Sequence, residues 1–162
     1  MSSIVYAAYY LLMLLAVAGL AVYDVKMKRV PDKALVFFLP AAFAAPFINA
    51  LASNAGITGA GSFVLPFLSS LIGAVAGTAV LLAAAVISKD GCGVGGGDIK
   101  FAAILGFVYG PFDTIGILLL ASLLALLVGL VQMKRVDERA LHMAFVPFMA
   151  VGCLAVTVFK FL

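Results

Sequence analysis

The chain has 162 residues, of which 66% are hydrophobic and only 10% are charged, and its formal net charge is +3. A soluble domain carries about 25% charged residues, so this composition excludes an ordinary soluble fold and indicates one membrane-embedded domain over residues 1–162. The small positive charge does not indicate nucleic-acid binding, because the basic residues lie in short gaps between apolar runs.

Six apolar stretches follow one another, and a membrane-spanning helix needs about 20 such residues. We expect an all-α polytopic membrane protein with about six transmembrane helices, over Ile4–Tyr23, Ala34–Leu51, Phe63–Ile87, Ile99–Tyr109, Thr114–Val131 and Met143–Leu162. Pro40 and Pro46 predict kinks in the second helix.

The fourth stretch, Ile99–Tyr109, is short and ends at Gly110–Pro111. Its length of roughly 17 Å is less than the roughly 30 Å of a hydrocarbon core. Non-helical backbone at membrane depth must be buried in protein or line a wet cavity. We therefore expect the glycine-rich segment before it, Ser88–Gly97, to enter a polar pocket.

The basic residues predict the orientation. With six spans, nine of them fall on one side of the membrane and only Lys160 falls on the other. The positive-inside rule makes the first side cytoplasmic, so both termini are expected to face outward. We expect a multi-pass protein of the cytoplasmic (inner) membrane whose basic segments lie against anionic lipid of the bilayer.

Two carboxylates adjoin apolar stretches on the cytoplasmic side. Asp24 follows the first stretch and Asp98 precedes the fourth, and an acid at membrane depth is costly enough to suggest a function. Structural roles are equally open, because Asp98 can cap the fourth helix and Asp24 can pair with Lys28. The other five carboxylates are interpreted as turn, cap or solvent-facing residues: Asp32, Asp90, Asp113, Asp137 and Glu138.

A pair of carboxylates that share one proton can hydrolyse an amide. The ionised one deprotonates a water molecule, and the protonated one donates to the carbonyl oxygen. This chemistry needs no metal and no cofactor, and we expect neither, since the chain has one histidine and no cysteine cluster. Gly95, Gly96 and Gly97 lack Cβ atoms, so a substrate backbone can approach and the segment can reposition Asp98. A plain flexible linker would be equally rich in glycine.

Three segments resemble motifs of the type IV prepilin peptidases, bacterial members of the GxGD intramembrane aspartyl proteases. GVGGGDIK, Gly93–Lys100, is similar to G-x-G-x-G-D-x-K, and YDVKMKRVPD, Tyr23–Asp32, to a D-x(6)-P segment. AFVPFMA, Ala144–Ala150, is similar to P-F-x-P-F-x-A, with alanine in place of the first proline. The resemblance implies that Asp24 and Asp98 are the catalytic pair and that Lys100 is the motif lysine.

The resemblance also implies a reaction, the removal of a short basic leader from prepilins or pseudopilins at the cytoplasmic membrane boundary. Many members carry an insertion with paired CxxC motifs, which is associated with N-methylation, between the first spans. Tyr23–Lys33 leaves no room for it. The chain looks like the short, peptidase-only form of tight-adherence (Flp) pili, similar to the CpaA/TadV group, which implies no methylation.

Other functions stay open on the residues alone. Proteases of the presenilin or signal-peptide-peptidase type also have a Tyr-Asp pair, but they carry a Pro-Ala-Leu motif that this sequence lacks. A small membrane carrier would use Asp24 and Asp98 as ion or proton sites, and an inverted repeat would support it. A pilus-assembly scaffold would tolerate loss of either aspartate.

Reporter fusions test the predicted orientation. Fusions after Lys33, Lys89 and Arg139 should report the cytoplasm and a fusion after Gly59 the outside, because the basic segments are retained on the cytoplasmic side. The measurement compares a reporter active only in the cytoplasm with one active only outside. A cytoplasmic signal from the Gly59 fusion would contradict the arrangement of six spans.

Overall fold

The computed structural model describes residues 2–27, 32–52, 61–87, 95–133 and 144–162, and all of its regular structure is helical. The helices are α1 Ser2–Met27, α2 Asp32–Ala52, α3 Gly61–Ile87, α4 Gly96–Tyr109, α5 Pro111–Met133 and α6 Val146–Phe161. The expected all-α architecture is therefore confirmed. The basic connecting segments, most of the glycine-rich segment and the residues Asp90, Asp137 and Glu138 lie outside the described residues.

The helices follow the predicted apolar stretches, and the bounds of α1 and α6 differ from the prediction. Four helices, α1, α2, α3 and α5, are long and apolar enough to cross a membrane. α1 continues to Met27, so Asp24 lies within the helix and not just after it. α6 begins only at Val146 and has 16 residues, which makes it shorter than the expected sixth span. Pro40 and Pro46 both lie inside α2.

Five helices form a ring around the sixth. α1 packs against α2, α2 against α3, α3 against α5, α5 against α6, and α6 closes the ring against α1. α4 lies inside and packs most closely against α3, and every residue from Phe101 to Tyr109 is buried or half-buried. Because protein surrounds it, α4 does not have to match the thickness of the bilayer. This placement accounts for its 14 residues.

Glycines allow α3 and α4 to touch through their backbones. A Cβ atom on Gly73 of α3 would collide with the carbonyl oxygen of Gly106 of α4, and a Cβ on Gly106 would collide with that of Gly73. One turn along α3, a Cβ on Gly77 would lie 2.5 Å from the carbonyl oxygen of Ala102. Close helix contacts through small residues are typical of membrane proteins, where lipid provides no hydrophobic force between helices.

A single residue, Gly110, connects α4 to α5. Its φ of 82° lies in the left-handed region, which glycine adopts without steric cost. Its N–H donates to the carbonyl oxygen of Gly106 at 2.9 Å, and its own carbonyl accepts from the Thr114 hydroxyl at 2.6 Å. Pro111, at the first position of α5, has no N–H to leave unpaired. The predicted end of the fourth helix at Gly110–Pro111 is thus confirmed.

Tyrosines close the end of the bundle at which α1 begins and α4 ends. The Tyr10 ring lies 5.4 Å from the Tyr109 ring, and the Tyr10 hydroxyl donates to Oδ1 of Asn49 on α2 at 3.1 Å. The Tyr109 hydroxyl bonds to that of Thr157 on α6 at 3.0 Å. We call this the tyrosine cluster, and it consists of Tyr6, Tyr9, Tyr10 and Tyr109. It ties α1, α2 and α6 to α4.

The glycine contact between α3 and α4 can be tested by adding one methyl group. Gly106→Ala should destabilise the protein by about 1–3 kcal/mol, because the helices must separate to admit the Cβ atom. The measurement is the thermal unfolding midpoint in detergent. Gly19→Ala on α1 is the matched control, since a Cβ there meets no heavy atom within 4 Å. Equal midpoints for the two variants would contradict the close contact.

Candidate active site

Asp24 lies one turn before the end of α1 and is almost fully enclosed, with 3% of the residue exposed. Its Oδ2 accepts a hydrogen bond from the backbone N–H of Val146 at 3.4 Å. Val146 is the first residue of α6, where the backbone N–H groups have no partner within the helix. The start of α6 therefore provides a donor to the Asp24 carboxylate.

Asp98 lies in the first turn of α4 and is half-buried. Its carboxylate accepts a hydrogen bond from the backbone N–H of Gly95, and its own N–H donates to the Gly95 carbonyl at 3.0 Å. Gly95 is the N-cap of the helix, so an acid three residues on satisfies one of its unpaired amides. The structure thus places Asp98 in the capping position that its sequence position suggests.

The two carboxylates influence one another electrostatically. Asp98 stands just before the apolar stretch of α4, and burial, followed by the negative charge of Asp24, raises the pKa of Asp98 to about 6. The hydrogen bond from Gly95 opposes this rise. Two residues 74 positions apart in the sequence are thereby brought to the same end of the bundle, where Asp24 also meets the start of α6. A carboxyl with such a pKa retains its proton much closer to neutral pH than an ordinary aspartate.

The glycines beside Asp98 have different surroundings. A Cβ atom on Gly95 would lie 3.2 Å from Oδ2 of Asp98, so a side chain there would crowd the carboxylate. Gly96 is exposed, and a Cβ on it would meet nothing within 4 Å. Gly96 and Gly97 belong to the first turn of α4 and not to the preceding loop, which differs from the expected extent of the loop. The helix starts there because the Asp98 N–H donates to the Gly95 carbonyl and the Gly95 N–H donates to the Asp98 carboxylate.

Lys100 is exposed, two residues beyond Asp98. Two residues correspond to about 200° of rotation around a helix, so Lys100 leaves α4 on the other side from Asp98. Asp113, which was expected to cap α5, lies in the first turn of that helix and accepts a hydrogen bond from the Lys160 ammonium at 2.8 Å. This ion pair lies at the end of the bundle that holds the tyrosine cluster.

The outcomes for two other charged residues are simpler. Asp32 is the first residue of α2. Lys28 lies outside the described residues, so the predicted pairing of Lys28 with Asp24 stays a prediction.

The hydrogen bond from Val146 is the part of the site that the sequence did not predict. A backbone N–H has no signature in a pattern of side chains, and the segment AFVPFMA indicates a resemblance to a family motif but not a hydrogen bond. The available signal was Pro147, because proline is common in the first turn of a helix and so marks where unpaired amides begin. Across the part of the chain that the structure describes, no three His, Cys, Asp or Glu side chains group as metal ligands do.

Comparisons with known proteins give one family and one relative. The family model of the type IV leader peptidase family matches residues 9–130, which include both Asp24 and Asp98. The chain is similar to the prepilin leader peptidase/N-methyltransferase of Bacillus subtilis (strain 168), with 39% identity over 90 residues. The aligned part covers 56% of this chain and 30% of that relative. No solved structure matches the chain.

Proposed function

Because the chain belongs to the type IV leader peptidase family, we propose that it is an intramembrane aspartyl endopeptidase that removes the short basic leader of prepilins. The observation that carries this proposal is that the charge of Asp24 helps to raise the pKa of Asp98, which means that the two carboxylates lie at the same end of the bundle. The name of the Bacillus subtilis relative, a prepilin leader peptidase/N-methyltransferase, supports the same substrate class.

We assign different roles to the two carboxylates. Asp98, whose pKa is raised to about 6 by burial and by the charge of Asp24, holds the shared proton and is the general acid. Asp24 accepts the N–H of Val146, a hydrogen bond that is stronger to an ionised carboxylate than to a neutral one. We assign the role of general base to Asp24, because its charge acts on the protonation of Asp98. The pair titrates as one unit, because each charge state depends on the other.

The reaction then follows from these two roles. The Asp24 carboxylate takes a proton from water while the water oxygen forms a bond to the scissile carbonyl carbon, and Asp98 gives its proton to the carbonyl oxygen. In the tetrahedral intermediate, the proton now on Asp24 passes to the amide nitrogen as the C–N bond breaks, and Asp98 recovers its proton from the hydroxyl that becomes the new carbonyl. The products are the leader with a new carboxyl group and the pilin with a new amine.

Two features would let a peptide backbone reach the pair. Gly96 is exposed at the start of α4 and presents no side chain, so an extended substrate can lie close to the helix start. Asp24 and Asp98 lie at the ends of their helices, at the expected cytoplasmic side of the inner membrane. A prepilin can then enter with its apolar helix in the bilayer and its basic leader in the cytoplasm.

We further infer that this chain acts without N-methylation on prepilins of the Flp type. α1 ends at Met27 and α2 begins at Asp32, so only four residues separate the first two helices. Four residues cannot form a separate zinc-binding insertion. This proposal assigns to the chain the peptidase activity alone.

Replacing each aspartate tests the proposed pair. Asp24→Asn and Asp98→Asn should each reduce prepilin cleavage by about 100-fold to 10,000-fold, because an amide can neither ionise nor serve as the acid. The double variant should be no worse than either single one, since residues acting as one unit are non-additive. The measurement is the gel shift of prepilin to mature pilin by purified protein in liposomes.

Asp90→Asn is the control for this experiment, because the sequence Asp90-Gly91 is typical of a turn and predicts no catalytic role for Asp90. It should cleave at the wild-type rate, and the unfolding midpoints of all variants should be measured alongside. Substantial processing by either Asp24→Asn or Asp98→Asn would end the proposal of a catalytic pair. A carrier or scaffold function would then be the better explanation.

The backbone N–H of Val146, which donates to Asp24, can be removed while the side chains of Asp24 and Asp98 stay unchanged. Val146→Pro deletes the N–H, which the helix itself does not use, and its unfolding midpoint is measured as well because a proline disfavours the helical dihedrals of Phe145 before it. Cleavage should fall by about 10-fold to 100-fold, the scale of a hydrogen bond to a charged group. Val146→Ala keeps the N–H and is the control. If both variants cleave equally well, the amide does not position Asp24.

A further inference from the structure

A groove between α5 and α6 opens on the outside of the helix ring, at the end of the bundle that holds the tyrosine cluster. Its volume is about 310 Å³. The groove exists because Gly116 and Ala155 carry little side chain where the helices meet, and a Cβ on Gly116 would lie 3.7 Å from Cγ2 of Val156. Phe112 and Phe159, exposed by 88% and 86%, flank it. Such walls suit a hydrocarbon chain.

Two opposite charges lie in the lining of this groove. The Lys160 ammonium donates to Oδ2 of Asp113 at 2.8 Å, and the side chains remain 29% and 33% exposed. Lys160 lies in the last turn of α6 and Asp113 in the first turn of α5, where the helix dipoles favour these charges. The ammonium also lies 4.9 Å from the centre of the Tyr10 ring and 5.9 Å from that of Tyr6. These contacts hold both charges in place.

We propose that this groove binds a phospholipid whose headgroup carries both a phosphate and a primary ammonium. The phosphate accepts a hydrogen bond from Lys160, the lipid ammonium donates one to Asp113, and an acyl chain lies along the apolar walls. An anionic headgroup without an amine would bring its phosphate next to the Asp113 carboxylate without compensation. A quaternary ammonium has the same charge but no N–H to donate. The site does not depend on the proposed cleavage reaction.

Native mass spectrometry of the full chain, purified in detergent, tests the selectivity. The protein is titrated separately with palmitoyl-oleoyl lipids that carry an ethanolamine, a choline or a glycerol headgroup. The ethanolamine lipid should be retained about tenfold more than either of the others, the scale of one hydrogen bond to a charged group. Equal retention of all three would mean adventitious lipid only. Stronger retention of the anionic glycerol lipid would also overturn the proposal.

Two variants locate the site. Gly116→Leu fills the groove and should abolish the selective retention, whereas Gly19→Leu, on an exposed part of α1 with open space around it, should leave retention unchanged. Asp113→Asn removes the charge that faces the lipid amine, so the preference for ethanolamine over the other headgroups should disappear. Unfolding midpoints show whether each variant is folded. Selective retention that survives in both Gly116→Leu and Asp113→Asn would place the lipid elsewhere and refute the site.

Discussion

An ionisable group can lie at membrane depth only where protein, and not lipid, surrounds it, and the rest of this structure depends on that constraint. α4 meets it by lying inside a ring of five helices. Its contact with α3 is so close that glycines replace side chains at Gly73, Gly77 and Gly106. With lipid excluded from its sides, the helix can be short, can begin with exposed glycine and can carry a carboxylate in its first turn.

The two ends of the bundle differ in structure: one is closed by packed tyrosines and the other holds the two carboxylates. At one end, hydroxyl and ring contacts of the tyrosine cluster tie α1, α2 and α6 to α4, and the Tyr10 side chain is fully buried. At the other end, Asp24 accepts a hydrogen bond from the first residue of α6, its charge acts on Asp98, and Gly96 is exposed. The tyrosines fix how α1 lies against α4, and the position of Asp24 relative to Asp98 depends on that arrangement.

Local features of this fold could be predicted from the sequence, and features that depend on how helices meet could not. The apolar stretches predicted where helices lie, and Gly110–Pro111 predicted the end of α4, because both signals act within a few residues. The ion pair of Asp113 with Lys160 was not predicted, since 47 positions separate the two and only packing brings them together. The same holds for the Val146 amide on Asp24. The side chains of Asp24 and Asp98 were predicted as a pair, but the backbone N–H group that donates to each of them became visible only in three dimensions.

The one-residue connection between α4 and α5 has a consequence for how deep Asp98 lies. Gly110 is a single residue that is hydrogen-bonded to both helices, so α4 cannot slide along its axis unless α5 moves with it. α5 is a long apolar helix with the length and composition of a membrane span. The twelve residues from Asp98 to Tyr109 span about 18 Å of helix. The depth of the Asp98 carboxylate in the membrane therefore depends on where Gly110 and α5 lie, at the other end of α4. Each residue gained or lost in α4 would shift Asp98 by about 1.5 Å and turn it by about 100° away from Asp24.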